Sequence, residues 1–259
     1  MIHNETIDLL MAHRTVRQFS ERPVSPKIAD AVLKCAQRAP TSSYLQAYTV
    51  IQVEDLSKRA ALMEYSGGQE WVVKAPLALL FCADLHRLEE VLHPADRNVL
   101  HNAELFTVAV SDAAMAAQRA LIAAQAFGLG GVVVGGVRNE TSKMAALFHL
   151  PTLVFPMYLL CLGYPAAVPE QRPRLETRFI LGVDGYPALP DGEEVADYDR
   201  LVSEYFLRAT DGRSARGWTE RARHAISNKP RYSVGSYLTA AGFMTETEPF
   251  DGLTQPSSV

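Results

Sequence analysis

The chain predicts one domain of mixed helices and strands that departs from a plain Rossmann arrangement. Segments with helical apolar spacing alternate with short β-rich runs, but at irregular intervals. The glycine run Gly128-Leu129-Gly130-Gly131 follows a helical segment and precedes a strand-like one, whereas a dinucleotide fingerprint requires strand, glycines and then helix. No internal repeat or linker divides residues 1–243, which read as a single domain with long terminal excursions, and the polar, proline-bearing stretch 244–259 reads as a disordered tail.

Each element has its own signal. Ile7, Leu10 and Met11 predict a short helix over 5–12. Ser25-Pro26 is a cap followed by proline in the first turn, and Ile28, Val32, Cys35 and Ala39 form the apolar face of the helix that follows. Pro40 stops it before the hydroxyl-rich loop Thr41-Ser42-Ser43. Tyr48–Val53 reads as a strand, Asp55 caps a helix to about Tyr65, Gly67-Gly68-Gln69 turns, and Leu77–Ala83 is a continuous apolar strand. Asp96–Phe127 predicts one long alanine-rich helix, apolar on several faces and therefore buried, ended by Gly128. Val132–Val134 and Phe155–Leu162 read as strands, with a helix capped by Asn139 between them. Pro165–Pro173 is an extended arm. Three helices follow, over Val195–Arg208, Thr219–Ser227 and Tyr232–Ala241; the first carries Tyr198, Leu201, Val202, Tyr205 and Phe206 on its apolar side.

Composition narrows the classes of function. With 48% hydrophobic and 21% charged residues the balance is that of a globular protein, and a net charge of -4 argues against nucleic-acid or anionic-membrane binding. Three separated cysteines, Cys35, Cys82 and Cys161, make neither a disulfide frame nor a zinc site and are expected to be buried packing residues. The apolar stretches are broken by glycine and proline before reaching the ~20 residues of a bilayer span. No signal peptide is evident, and a reducing cytoplasm is the expected home.

Several clusters are candidates for chemistry. His13, Arg14, Thr15 and Arg17 combine guanidinium forks with a hydroxyl, a set suited to phosphate oxygens; a solvated helix end is the alternative. Arg172-Pro173-Arg174 mounts two more guanidiniums on stiff backbone, as an anion site or an exposed loop. Gly135-Gly136, lacking side chains, either admits a planar ligand to the backbone or makes a tight turn. Thr41, Ser42, Ser43 and Gln69 offer the neutral donors and acceptors that a heterocycle's edge needs, or ordinary turn chemistry. The basic run Arg208, Arg213, Arg216, Arg221, Arg223, Lys229 and Arg231 suits a nucleotide phosphate or a solvated surface. No nucleophile elbow, Walker loop or zinc-protease motif is present, and the histidines are spaced too widely for an adjacent-turn metal pair.

Taken together, six motifs resemble the nitroreductase superfamily, closest to the oxygen-insensitive NADPH nitroreductases and NADPH-flavin oxidoreductases. They are His13-Arg14-Thr15-Val16-Arg17-Gln18-Phe19, Thr41-Ser42-Ser43-Tyr44-Leu45-Gln46, Gly67-Gly68-Gln69, Gly128 through Asn139, Leu162-Gly163-Tyr164-Pro165 and Arg172-Pro173-Arg174-Leu175. Order and rough spacing are kept nearly to Gly242. The resemblance implies an α+β fold, a central mainly antiparallel sheet surrounded by helices, in an intertwined homodimer with FMN at the subunit interface. It implies that His13, Arg14, Thr15, Val16, Arg17, Arg172, Pro173 and Arg174 hold the phosphate and ribityl chain. Gln69 and the backbone of Val133, Val134, Gly135 and Gly136 would meet the ring, and Thr41, Ser42 and Ser43 would also bind the cofactor. Arg172 stands where the family usually has lysine, and Thr41 where it has serine; charge and hydroxyl survive. The implied activity is NAD(P)H-driven, ping-pong, two-electron reduction of nitroaromatics, quinones or other small planar acceptors, with a flavin reductase serving a partner enzyme as the alternative. The flavin carries the redox chemistry, so no side chain is assigned as an obligatory acid or base. NADPH is preferred over NADH, with Arg208, Arg213 and Lys229 as candidates for its extra phosphate, although these do not fall in the family's register.

Overall fold

The computed structural model describes residues 3–95, 97–228 and 230–245. Its centre is a four-stranded antiparallel sheet in the order β1-β2-β4-β3, with β1 at Tyr48–Gln52, β2 at Leu77–Asp84, β3 at Gly130–Val134 and β4 at Val154–Gly163. β2 and β4 pair along their whole lengths, with a shift of register between Phe81 and Cys82. All of β2 is buried because both faces of the sheet are covered, which is why its sequence shows no polar alternation.

Alternate residues nonetheless serve different layers. Leu77, Leu79, Phe81, Leu160 and Leu162 pack on α2 (Pro26–Ala36) and α6 (Ala103–Ala126). Ala78, Leu80, Cys82, Leu159 and Cys161 pack with residues of α3 (Leu56–Tyr65), α4 (Trp71–Lys74) and α7 (Thr141–Phe148). A third cluster, with Phe155, Leu153 and Phe243, closes one end beneath α10 (Ser233–Ala240). The remaining helices are α1 (Glu5–Met11), α5 (His86–Leu92), α8 (Gly192–Ala209) and α9 (Trp218–Ser227).

Several expectations shift by a physical cause. The long helix starts at Ala103, not Asp96, because the Asn102 side chain accepts from Leu105 N–H and caps it there. By length and composition α6 is apolar enough to cross a membrane, contrary to the expectation from its breaks; ten of its residues are buried, six of them in the cluster it forms with α2 and the sheet. The helix after the strand at 130–134 has Glu140, not Asn139, at its cap position, and the Asn139 carboxamide oxygen accepts from Arg231 Nε at 2.8 Å. α8 begins at Gly192 because Asp191 and Glu194 form a capping box. Cys82 and Cys161 are buried, but Cys35 is exposed: the stripe that α2 buries is Ala29, Val32 and Ala36, small residues that let it lie close on α6, and this turns Cys35 outward. The expectation of a disordered tail falls almost wholly on residues outside those described, and so does Lys229.

Candidate functional site

The N-terminal candidates are positioned by pairing, not by helix. After α1 ends, Val16 N–H donates to Gly131 O at 3.0 Å, and Thr15 bridges Gly131 in parallel register, so residues 13–17 run beside β3. This approach requires glycine at 130, where a Cβ would lie 2.4 Å from Val16 Cγ2. Val16 is thereby spent on structure: its side chain is buried and its N–H is bonded. His13 and Thr15 on one side, and Arg17 beyond, are left to face the neighbouring cavities.

The arm returns antiparallel to this segment. Ala166 N–H donates to Gln18 O at 2.9 Å, Phe19 bridges Pro165, and Gln171 Nε2 donates to Met11 O at 2.5 Å. α8 pins the arm from outside: Tyr205 Oη donates to Glu170 O at 3.2 Å and Tyr198 Oη to Pro173 O at 3.3 Å. Arg172 and Arg174 thus arrive beside residues more than 150 positions earlier in the chain. They share a cavity of about 310 Å³ with His13, Arg14, Thr15 and Arg17, closed by Tyr205 and Phe206.

The electrostatics of this cavity are one-sided. Among the described residues, none of Arg14, Arg17, Arg172 and Arg174 meets a carboxylate at ion-pair distance; Glu170, the one acid in the lining, pairs with Arg208 at 3.0 Å. Burial pushes the Arg17 guanidinium below its usual pKa, and Arg172 pushes it further. Burial likewise lowers His13, with Arg174 adding to the effect and a bond from Gln125 opposing it. Arg14 Nε is buried without a partner. Like charges gathered at a half-buried place, with an unmet donor among them, are the arrangement an anion completes.

A second cavity of about 380 Å³ adjoins it and shares His13, Thr15, Arg17 and Arg174. Its floor is Gly131, Val132 and Val133, with Gln118 and Leu121 of α6 across from them. Val133 is 41% exposed although it lies within a strand, so β3 opens to the cavity at this apolar side chain while Gly131 and Val132 stay buried. Val134 is buried. Gly135 and Gly136 form a 3-10 turn, and their missing Cβ atoms make room for protein: a methyl on Gly136 would sit 2.5 Å from Ser66 O and 2.6 Å from Gln69 Nε2. Gln69 is therefore against the Gly135-Gly136 turn, and it donates to Ser66 O at 2.6 Å. Arg17 lies over the Trp71 ring, two residues along.

Five candidates lie elsewhere. Thr41 lines a separate cavity of about 980 Å³ with Tyr44, Tyr48 and Arg87, and Ser42 and Ser43 are exposed beside it. Arg208 faces Glu170 at the rim, and Arg213 is exposed, donating to Thr210 O and lying 3.9 Å from Asp211; neither lines the arginine cavity. The lining also includes residues that the sequence did not single out as binding groups. Tyr205 and Phe206 were legible as an apolar helix face, with no sign of which surface they would cover. Arg221, seen only as part of a basic run, stacks 3.2 Å from the Phe206 ring centroid.

An antiparallel sheet between helical layers, with a guanidinium cavity beside a glycine-floored slot, defines a protein built to hold a flat, phosphate-bearing ligand. The chain belongs to the nitroreductase family: residues 10–164 match that family and residues 172–246 match its C-terminal domain. It is 35% identical to the oxygen-insensitive NADPH nitroreductase of Salmonella typhimurium, covering 93% of this chain and 98% of that one. It is 34% identical to the FMN reductase (NADPH) of Bacillus subtilis, with the same coverage. The solved structure of the NfrA1 nitroreductase from B. subtilis superposes with a TM-score of 0.88 at 34% identity, covering 93% of this chain and all of that one.

Proposed function

We propose that this chain is an FMN-dependent NAD(P)H oxidoreductase that reduces small planar acceptors two electrons at a time. The observation that carries the reading is the unbalanced set of Arg14, Arg17, Arg172 and Arg174 around one cavity, opening onto the Gly131–Val133 surface. The residues fit FMN: guanidiniums and the unmet Arg14 Nε suit its phosphate, and the glycine and valine backbone suits the face of a ring. Bound there, FMN would supply the hydride-accepting and hydride-donating chemistry.

The chain's own residues do the rest. The arginines neutralise the phosphate and set the position of the flavin. Gln125 holds the His13 ring at 3.1 Å, and burial with Arg174 favours the neutral imidazole until an anion arrives. Arg17, held over Trp71, keeps a positive charge near the slot that favours an electron-rich ring.

The reading includes a homodimer. Asp112 anchors the Thr41–Ser43 loop to α6, and Gln125 anchors His13 thirteen residues further along it, about 20 Å by helical rise. A second copy that brings its own loop to the first copy's slot supplies Thr41, Ser42 and Ser43 to the same flavin. Residues through 243 then work as one unit, and a nicotinamide donor places that work in the cytoplasm. NADPH is the preferred donor, with Arg208, at the rim beside Glu170, and Arg213 as the candidates to read its extra phosphate. Initial rates with the two donors test this; equal efficiency removes any discriminating role from these arginines.

The test of the whole reading is an absorbance spectrum of the purified protein, then anaerobic titration with NADPH. A yellow protein that bleaches supports it, and a colourless protein that takes up no flavin ends it. The name of the B. subtilis relative favours a second reading, reduction of free FMN for another enzyme. Saturable NADPH oxidation with free FMN, at a KM below that for quinones, would select it.

A further inference from the structure

One carboxylate in the core has no cation beside it among the described residues. Asp112 is fully buried in the middle of α6. Its Oδ1 accepts Ser42 N–H and its Oδ2 accepts Ala47 N–H, both at 3.0 Å. Between those amides the backbone is strained: Ser43, Tyr44 and Gln46 adopt φ of 49°, 60° and 53°, in the left-handed region that side chains disfavour. No apolar side chain could hold that path, because both loop amides would be left without acceptors. A carboxylate has one oxygen for each.

Mid-helix aspartate is a poor helix former, and burying its charge is unfavourable, so packing alone does not account for it. The conformation it stabilises turns Ser42, Ser43 and Tyr44 outward; Tyr44 is 82% exposed. We propose that Asp112 is a positioning residue for the flavin site, holding the 42–47 loop in the path that presents Thr41, Ser42 and Ser43 to a flavin bound between two copies. The inference rests on the reading of the chain as a flavoprotein, in which this loop meets the cofactor's ring. Asp112 touches neither flavin nor acceptor; it acts only through the loop.

The test uses the flavin-loaded protein and Asp112→Asn. Asparagine keeps the shape but offers one acceptor oxygen, and its NH2 group faces the second amide. The FMN dissociation constant should rise on the order of tenfold, with full binding stoichiometry at saturating flavin. A merely structural role would lower the number of binding-competent chains and leave their affinity unchanged, and that result would overturn the proposal. A second measurement does not depend on the variant folding. Hydrogen exchange in the wild-type holoprotein should find the amide of the exposed Ser42 protected, along with that of Ala47 at the buried end of the loop. Exchange at the rate of free peptide would overturn the proposal as well. Wild-type protein that binds no FMN would instead refute the functional reading; wild-type and variant proteins binding FMN equally tightly would refute only the role of Asp112.

Discussion

Gly130→Ala tests whether the contact between the N-terminal segment and the sheet builds the anion cavity. A methyl at this position would lie 2.4 Å from Val16 Cγ2, 2.7 Å from Val16 Cβ and 3.1 Å from Pro165 Cγ. Carbon atoms pack at about 3.5–4.0 Å, so Val16 must retreat by about 1 Å. Val16 is 4% exposed and has nowhere to go without lengthening its 3.0 Å bond to Gly131 O. Overpacking of this kind costs roughly 1–3 kcal/mol, and loss of the backbone bond adds about 1 kcal/mol. For a chain of this size that is a fall in Tm of roughly 5–10 °C. Because Thr15 and Arg17 flank the displaced residue, FMN affinity should fall by more than about tenfold, the penalty expected when a preorganised site moves by an ångström. Thermal melts of the flavin-free protein and a fluorescence titration with FMN read the two effects. Gly128→Ala is the control: its site is open but its φ is 74°, so it should lose roughly 1–2 kcal/mol of stability and leave FMN affinity alone. If Gly130→Ala melts with the wild type and binds FMN unchanged, residues 13–17 are not held to β3 as described.

Other expected outcomes follow from the site and the core. Arg14→Ala and Arg174→Ala should each weaken FMN binding by about tenfold to a hundredfold, the worth of a charge-assisted hydrogen bond; both variants retaining flavin through dialysis would remove the phosphate assignment. In the flavin-free protein, burial and Arg174 lower the pKa of His13, so the unfolded chain takes up this proton more readily. Its contribution to stability is present above the unfolded value of 6.5 and is lost as pH falls from there toward the lowered folded value; Arg174→Ala should shrink that loss, as read from denaturant midpoints across the window. A thiol reagent at mildly alkaline pH should label the exposed Cys35 in the native protein, while burial holds the Cys161 thiol up at about 12 and keeps Cys82 higher still; labelling of all three before unfolding would contradict the packing of the sheet.

Local chemistry made much of this fold readable. β2 and β4 are apolar runs with few alternatives, the Ser25-Pro26 cap sets the start of α2, and Gly67 and Gly68 adopt the positive φ their turn requires. The errors lie where a signal is distributed or comes from packing. Apolar spacing put Cys35 on the inner face of α2, because spacing identifies a stripe but not which flank meets the neighbouring helix. The boundary at Asn102 was missed because an alanine-rich run does not reveal where its cap falls.

The candidate groups were legible because few residue types suit their chemistry: arginine forks for a phosphate, glycines for close approach, hydroxyls for a ring's edge. Those choices reside in single residues, so the sequence alone determined them. Assembly belongs to the tertiary structure. Only there does the arm run antiparallel to residues 11–20, setting Arg172 and Arg174 beside Arg14 and Arg17, while Arg208 turns to Glu170 at the rim. Only there does Asp112 reach a loop 70 residues before it. Contacts at such separation depend on how helices and strands pack, and no local pattern of residues encodes their geometry.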